Sequence, residues 1–462
     1  MNFKPRPYQE KAIQIGIEVL KGKRKEVLVE PTGAGKSWII GGICKELSND
    51  KILVIQPTFE LLEQNVSKIN ALGVDVSVFS TSAGKKETEK NLIYATLQSL
   101  TYESFKDLNV KYVIVDEVDF ATQPKTEFVK LLTQLKIKSC LGLTASPFYT
   151  IQTNNGAVTE IMTQVKGSYF KDIANIHQIQ DMVDNKYWSN FQYFNVFDHS
   201  KQGLLKLNDS GSEFTELSQK EFYDKCDLKT KISDFLSRLP ENENALVFVP
   251  DIEKAEELKE LILNSVVVHS KVNKKLRKEN VDNFKNNECR IAITPLALAV
   301  GFDKEDLFNI VDATPTNSVR VNMQKIGRIC RLHKDKELGR VIDFSGNFNR
   351  FGDIRNYTFE NIEGYGWVLL DGENVLTGIP MDKVGTITRE YIIKNGKPNF
   401  EYIFGEGNDG SAKMSVGKYE GKTLKWLYYQ KRFYLKWLIQ VDYNFKEEDK
   451  EFERQLKQIF NT

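Results

Sequence analysis

The octapeptide Glu30-Pro31-Thr32-Gly33-Ala34-Gly35-Lys36-Ser37 limits the folds open to this chain more than any other stretch. Before it runs Glu26-Val27-Leu28-Val29, apolar and β-branched in the manner of a buried strand. After it comes Trp38-Ile39-Ile40-Gly41-Gly42-Ile43-Cys44, which reads as the first turns of a packed helix. Strand, glycine-rich turn, Lys-Ser and helix together form the setting that a phosphate-binding loop needs. Gly33 and Gly35 allow the tight turn and let successive backbone N–H groups point inward as an anion nest. The helix N-terminus adds its positive end. In such a loop Lys36 reaches the β- and γ-phosphates of a nucleotide, and the Ser37 hydroxyl ligates Mg2+. A glycine turn with an incidental lysine is the alternative, and the flanking strand and helix weigh against it.

Strand signals then recur: Lys51 to Ile55, Asp75 to Phe79, Leu92 to Thr96, Tyr112 to Val115 and Cys140 to Leu143. Helix-like segments separate them, so the first part of the chain reads as a parallel α/β sheet. The polar signatures Gln56-Pro57-Thr58, Asp116-Glu117 and Thr144-Ala145-Ser146 each follow a strand, at the edge where such sheets bind ligands. From about Tyr149 to Leu239 the pattern is less regular, and Tyr187 to Phe194 reads as an extended aromatic connector. A second series starts at Ala245 to Val249 and continues through Ser265 to Val268, Arg290 to Ile293, Asn309 to Val311 and Arg340 to Ile342. It has no phosphate loop of its own. After about Phe351 the chain turns to Gly-rich, aromatic segments with short strand signals, and Glu447 to Phe460 carries apolar residues at helical spacing, as a terminal packing helix would.

A length of 462 residues exceeds what one hydrophobic core supports, so two or three domains are expected. Basic and acidic residues number 64 and 63, so any charge that grips a polyanion must be local. The five cysteines lie far apart with no metal-ligand spacing, which argues against zinc. Asp116-Glu117 can hold Mg2+ and activate a water, with Asp116 on the metal and Glu117 as general base.

In this order the motifs resemble those of the superfamily 2 helicases and translocases, over most of residues 3 to 350. Arg6-Pro7-Tyr8-Gln9 resembles the adenine-reading Q motif, Pro31 to Ser37 motif I, and Gln56 to Leu61 motif Ia. Ala95-Thr96-Leu97-Gln98-Ser99-Leu100 resembles the next strand-contacting motif, Asp116-Glu117-Val118-Asp119 motif II, and Thr144 to Phe148 motif III. Leu246 to Pro250 resembles motif IV, and Thr294 to Gly301-Phe302-Asp303 motif V. Gln324-Lys325-Ile326-Gly327-Arg328-Ile329-Cys330-Arg331 is a full QxxGRxxR motif VI. Within the superfamily the chain is most similar to the RadD-like branch of phage and bacterial DNA helicases, through its RPYQ start, its LGLTASPF stretch, GFD, and Ile342 to Asn347. It departs at Lys304-Glu305, where many relatives carry a proline, and in lacking their cysteine clusters after the core.

The resemblance implies an α/β fold: two tandem RecA-like parallel-sheet domains plus a small C-terminal α+β domain. The expected division is 1–165, carrying motifs Q to III; 166–350, connector and motifs IV to VI; and 351–462, accessory and DNA-binding. It implies ATP and Mg2+ as cofactors. Lys36, Asp116, Glu117, Gln324, Arg328 and Arg331 are the expected catalytic set, the two arginines acting as fingers from the second domain. Arg6, Tyr8, Gln9, Pro31, Thr32, Gly33, Ala34, Gly35, Lys36, Ser37, Gly301 and Asp303 are the expected nucleotide contacts, with Ser37 and Asp116 on the metal. Pro57, Thr58, Thr96, Gln98 and Thr294 are expected along the nucleic acid backbone, although each threonine is about as readily a helix cap or turn hydroxyl.

Between Lys413 and Trp437 lysines interleave with aromatics and Glu420 is the one acid, the composition of a surface that neutralises phosphates and stacks on unpaired bases. Gly417 to Thr423 with Tyr434-Leu435-Lys436-Trp437 resembles a small module appended to some phage and bacterial DNA-processing proteins. Lys418, Lys422, Lys425 and Trp426 are its expected contacts. The competing reading makes these aromatics the core of a compact domain.

The expected activity is ATP-dependent unwinding or branch migration of forked and branched DNA in replication, recombination or repair. Its partners would be single-stranded, forked or branched DNA and recombination or single-strand-binding proteins, with no membrane. An RNA helicase, a duplex translocase subunit of a restriction or remodelling complex, and a scaffold with a dead ATP site are the rivals. The start Met1-Asn2-Phe3-Lys4-Pro5-Arg6 lacks the apolar core of a signal peptide, so a cytoplasmic location is expected, in the host if the chain is phage-encoded.

Overall fold

The computed structural model describes residues 4–120, 122–153, 156–295, 302–396, 408–441 and 443–460. The first helix, Pro7–Lys21, starts with proline, whose missing N–H is unneeded there. It buries Ala12, Gly16, Ile17, Val19 and Leu20. Seven strands follow: β1 (Lys25–Val29), β2 (Ile52–Gln56), β3 (Val76–Ser80), β4 (Lys85–Lys86), β5 (Leu92–Thr96), β6 (Tyr112–Asp116) and β7 (Ser139–Thr144). β8 (Phe148–Thr153) and β9 (Gly156–Ile161) make a separate antiparallel hairpin, and β10 (Asp172–Ile176) rejoins the sheet beside β1. The order is β10-β1-β7-β6-β2-β5-β3-β4, and only the β3–β4 pairing is antiparallel. β2, β5, β6 and β7 are buried from end to end, as a parallel sheet covered on both faces requires.

A second, wholly parallel sheet holds β11 (Phe191–Asn195), β12 (Ala245–Phe248), β13 (Ser265–Val267), β14 (Ile291–Thr294), β15 (Asn309–Asp312) and β16 (Gly339–Asp343). Its order is β11-β16-β15-β12-β14-β13. Two parallel sheets in tandem followed by a small C-terminal region match the fold expected from the motifs. The aromatic stretch expected as a connector is in part an edge strand, because Phe191 to Asn195 pairs in register with Gly339 to Asp343. Only its first residue is buried, so its pattern carried no strand period.

Beyond the second sheet, β17 (Tyr357–Ile362), β18 (Gly366–Asp371) and β19 (Asn374–Val375) form an antiparallel sheet that returns to the first domain. Two side-chain amides fasten it, each bonding one backbone residue as a neighbouring strand would. Gln178 donates from Nε2 to the Phe359 carbonyl at 2.9 Å and accepts the Phe359 N–H at 3.0 Å. Gln164 brackets Trp367 in the same way. The Phe148 and Phe359 rings lie 6.0 Å apart at the same seam. One apolar cluster consequently runs from Val27 and Val115 in the first sheet, through Trp188 and Phe191, to Ile310 in the second and Leu369 in the third. Residues 412–460 pack around a core of their own, centred on Leu424, Leu427, Leu435, Leu438, Phe452 and Leu456.

Candidate functional site

The turn after β1 has the shape its glycines permit. Gly33 and Gly35 both sit at φ +81°, in the left-handed region. A Cβ on Gly35 would come within 2.6 Å of Gln9 Nε2, so the first helix and the loop touch through this glycine. The Ala34 carbonyl accepts the Tyr8 hydroxyl at 2.7 Å and Gln9 Nε2 at 2.8 Å, while Gln9 Oε1 takes the Arg6 N–H at 2.9 Å. Tyr8 also stacks on His177, ring centres 4.3 Å apart. The Q-like motif therefore braces the loop, and Tyr8 and Gln9 direct these polar groups to it.

A cavity of about 300 Å3 opens over the loop. The first domain lines it with Arg6, Gln9, Thr32, Gly33, Gly35, Lys36, Ser37, Asp116 and Glu117; the second contributes Asp303, Arg328 and Arg331. Pro31 and Ala34 are buried behind it. Gly301 lies outside the described residues. At one end the Arg6 guanidinium rests 4.6 Å over the Tyr187 ring, and both groups line the cavity. Tyr187 was not singled out by the motifs; its one sequence signal is a place in an aromatic run.

Lys36 Nζ lies 3.1 Å from Glu117 Oε1. Glu117 has φ +45°, a strained backbone for a non-glycine residue, held where β6 ends. Asp116, 4% exposed, accepts from Asn65 Nδ2 at 3.2 Å and from the Glu117 N–H at 3.1 Å. Burial, then the neighbouring Glu117 charge, raises its carboxyl above the usual range, and Lys36 pulls the other way. The fully buried Glu30 carboxyl is pushed up to about 8 by burial, again against Lys36.

The second domain reaches this site through the helix Val319–Ile326 and the turn after it. A Cβ on Gly327 would lie 2.7 Å from Thr32 Cβ, so motif VI abuts the phosphate loop directly. Trp188 closes the other side, its indole donating to the Thr32 carbonyl at 2.9 Å. Arg328 Nη1 donates to the Phe302 carbonyl at 2.7 Å, and burial followed by the Arg331 charge lowers its pKa to about 10. Arg331 donates to the same carbonyl at 3.2 Å and pairs through Nε with Asp303 at 2.8 Å. Asp303, expected on the nucleotide, thus holds an arginine at the cavity wall. Buried Lys304, at the family's usual proline position, anchors the turn by reaching the Lys285 carbonyl, Asn287 and Asp306.

A second link between the domains was hidden in the motif II signature. Asp119 accepts from Thr144 at 2.5 Å and from Arg320 Nε at 2.6 Å, and Ser146 stands 3.4 Å away. Gln324 reaches Ser146 Oγ at 3.5 Å. Arg320 lies one helical turn before Gln324, and that i, i+4 spacing was the available signal.

The hard oxygens of Ser37 and Asp116, with room for waters and phosphates, suit Mg2+, which takes few protein ligands. No cluster of three or more His, Cys, Asp or Glu able to hold a metal occurs among the described residues.

The expected nucleic acid contacts divide. Gln98 is exposed. Thr58 caps the helix Phe59–Ala71, accepting the Leu61 N–H. Thr96, 2% exposed, bonds Ser80 and Ser99, and Thr294 is fully buried. Pro57 is buried as well. In this arrangement Pro57, Thr96 and Thr294 present almost no surface to a strand. On the C-terminal module Lys418 and Lys422 are exposed, whereas Lys425 and Trp426 are half-buried. Trp426 packs against the module's core and has Lys422 Nζ 5.1 Å above its ring.

No helix among the described residues is long and apolar enough to cross a membrane. Residues 2–149 match the family model described as type III restriction enzyme, res subunit, and residues 228–333 match that of the helicase conserved C-terminal domain. The DNA 3'-5' translocase XPB2 of Sulfurisphaera tokodaii is 24% identical over 362 residues, which is 72% of this chain and 79% of that protein. Putative helicase 22 of a Sulfolobus islandicus filamentous virus is 25% identical, over 76% of this chain and 66% of its own length. The fold is shared with a fragment of a putative HsdR subunit of a type I restriction enzyme from Vibrio vulnificus. There the TM-score is 0.58 at 20% identity, over 76% of this chain and 66% of that one. The matches to these two family models and to translocase- and helicase-named relatives, with both domains lining one cavity over the phosphate loop, support an ATP-dependent superfamily 2 helicase or translocase.

Proposed function

We propose that this helicase couples ATP hydrolysis to the separation or branch migration of DNA strands at forks and other branched structures, in the manner of the RadD-like branch. The observation that carries the reading is the divided site: Lys36 and Glu117 face the same cavity as Arg328 and Arg331, across the domain boundary. Lys36 and the loop N–H groups hold the β- and γ-phosphates, and Glu117 accepts a proton from the attacking water. Ser37 and Asp116 would hold Mg2+, which when bound neutralises phosphate charge. Arg331 and Arg328 stabilise charge on the γ-phosphate as it transfers. Arg331 is poised by Asp303, and the Arg6–Tyr187 pair receives the base. ATP therefore favours apposition of the domains, and hydrolysis removes that preference, shifting the strand contacts of one domain against those of the other. Residues 351–462 act as the accessory DNA-binding region, and recombination or single-strand-binding proteins are the proposed partners.

A duplex translocase subunit is the second reading, favoured by the restriction-subunit family match over residues 2–149 and the HsdR-like fold. ATPase rates on single-stranded, duplex, forked and junction DNA and on RNA, with strand displacement on forked and blunt duplexes, separate the two. Stimulation by single strands and forks with displaced product is the expected result. Stimulation by blunt duplex without displacement selects the translocase, and stimulation by RNA alone overturns both.

A further inference from the structure

We infer that the C-terminal module carries a base-stacking ladder for unpaired DNA, built from Tyr419, Tyr434, Trp437 and Tyr443; this deepens the DNA reading above and rests on it. The module's core is already filled by Leu424, Leu427, Leu435, Leu438 and Phe452, each at 1% exposure or less. Four further rings run in contact along its edge, with Tyr419, Tyr434 and Tyr443 half-buried against the core and Trp437 exposed; Tyr419 meets Tyr434 edge-on at 74°. Tyr419 lies 4.8 Å from Tyr434, Tyr434 5.8 Å from Trp437 at 25° between planes, and Trp437 6.5 Å from Tyr443. Trp437 is 46% exposed, and of the chain's five tryptophans it alone is exposed. An exposed indole flanked by tyrosine rings presents a flat amphipathic face on which a base can stack.

Charge identifies the occupant. From Lys413 to Trp437 there are seven lysines and arginines against one acid, although the whole chain is nearly neutral at +1. Lys418 Nζ sits 5.5 Å over the Tyr419 ring and Lys422 Nζ 5.1 Å over Trp426, and among the described residues neither takes part in an ion pair. Flat apolar faces beside unpaired cations suit a strand whose bases are free to stack and whose phosphates lie alongside. A duplex hides its base faces and fits this surface poorly.

Position connects the ladder to the motor. The helix Leu424–Gln430 packs on β9, in the hairpin that leaves Thr144-Ala145-Ser146-Pro147, and Lys431 reaches Asp209 at 3.7 Å. That hairpin follows Ser146, which meets Asp119 and Gln324 where the two domains join, so the module packs on an element connected to the domain boundary.

The test is equilibrium binding of the full chain to a labelled oligothymidylate and to an abasic strand of equal length, across a salt series. Trp437→Ala should weaken oligothymidylate binding roughly 5- to 150-fold, the loss of one base–aromatic stack. Trp437→Phe should retain most of the affinity, and on the abasic strand all three proteins should bind alike. Lys422→Ala should instead lower the salt slope by about one phosphate contact. Unchanged oligothymidylate binding by Trp437→Ala overturns the ladder, as does an equal loss on the abasic strand. A lowered melting temperature with intact binding overturns it too. Failure of the unaltered chain to bind any DNA would instead remove the DNA reading itself.

Discussion

At the residue scale the cavity explains what each nearby side chain can contribute. Lys36 has Glu117 as its partner at 3.1 Å, so removing the lysine takes away both a phosphate ligand and the group that faces the base. Lys36→Ala should abolish most ATP turnover, and Glu117→Gln should bind ATP yet fail to hydrolyse it; steady-state turnover with a nucleotide-binding assay checks both. Near-normal turnover in either variant would contradict the assigned roles. Glu30 gives a pH signature. Its folded pKa of about 8 stands above the ordinary 4.5, so the folded state holds a proton that the unfolded state releases between those values. Stability should then fall as pH rises across that window, by at most ~1.4 kcal/mol per pH unit from this group. Glu30→Gln should flatten the decline in melting temperature from pH 5 to pH 8 and be the more stable protein at pH 8. Equal slopes would show that the carboxyl is not held neutral.

At the scale of elements, the phosphate loop and motif VI meet with almost nothing between them. Gly327 has an ordinary helical backbone, φ −55°, so alanine there carries no conformational strain of its own. Its Cβ would still fall 2.7 Å from Thr32 Cβ, and neither atom can rotate away. Gly327→Ala should push the second domain off the loop and lower ATP turnover by ~100-fold, the usual cost of misplacing a catalytic group by an ångström. The melting temperature should barely change. Turnover within a few-fold of the unaltered chain would mean that the contact shown here is absent from the working state. Elements are also where the sequence was most and least readable. β2, β5, β6 and β7 are buried runs ended by polar signatures, so they could be placed from local pattern. β10 and β11 are edge strands with mixed exposure, and their pairing depends on partners far along the chain. The third sheet was signalled only as short strand-like segments after Phe351, and its docking was not, because the side-chain amides of Gln164 and Gln178 fasten it to residues far back in the chain. Thr58, Thr96 and Thr294 show the same limit at the site: a motif locates a threonine, but only packing decides whether its hydroxyl faces solvent.

For the whole molecule, the central claim is that one ATP site is shared between two domains that a return strap and a hairpin hold in contact. Lys36, Asp116 and Glu117 were legible because one strand–loop unit sets each of them. Tyr187, Trp188 and the Asp119–Arg320 pairing were not, because those partners lie across the domain boundary; Asp119 was visible only as the end of motif II and Arg320 only through its spacing to Gln324. Arg331 tests the claim most directly: it comes from the second domain, lines the cavity, and is aimed by Asp303 at 2.8 Å. The decisive measurement is single-turnover ATP hydrolysis by Arg331→Ala beside its equilibrium ATP affinity, both with saturating single-stranded DNA. The account predicts near-normal affinity with hydrolysis slowed by about a thousandfold or more, as when an arginine finger is withdrawn. Hydrolysis within a few-fold of the unaltered chain, or a collapse of ATP affinity with little change in rate, would contradict it.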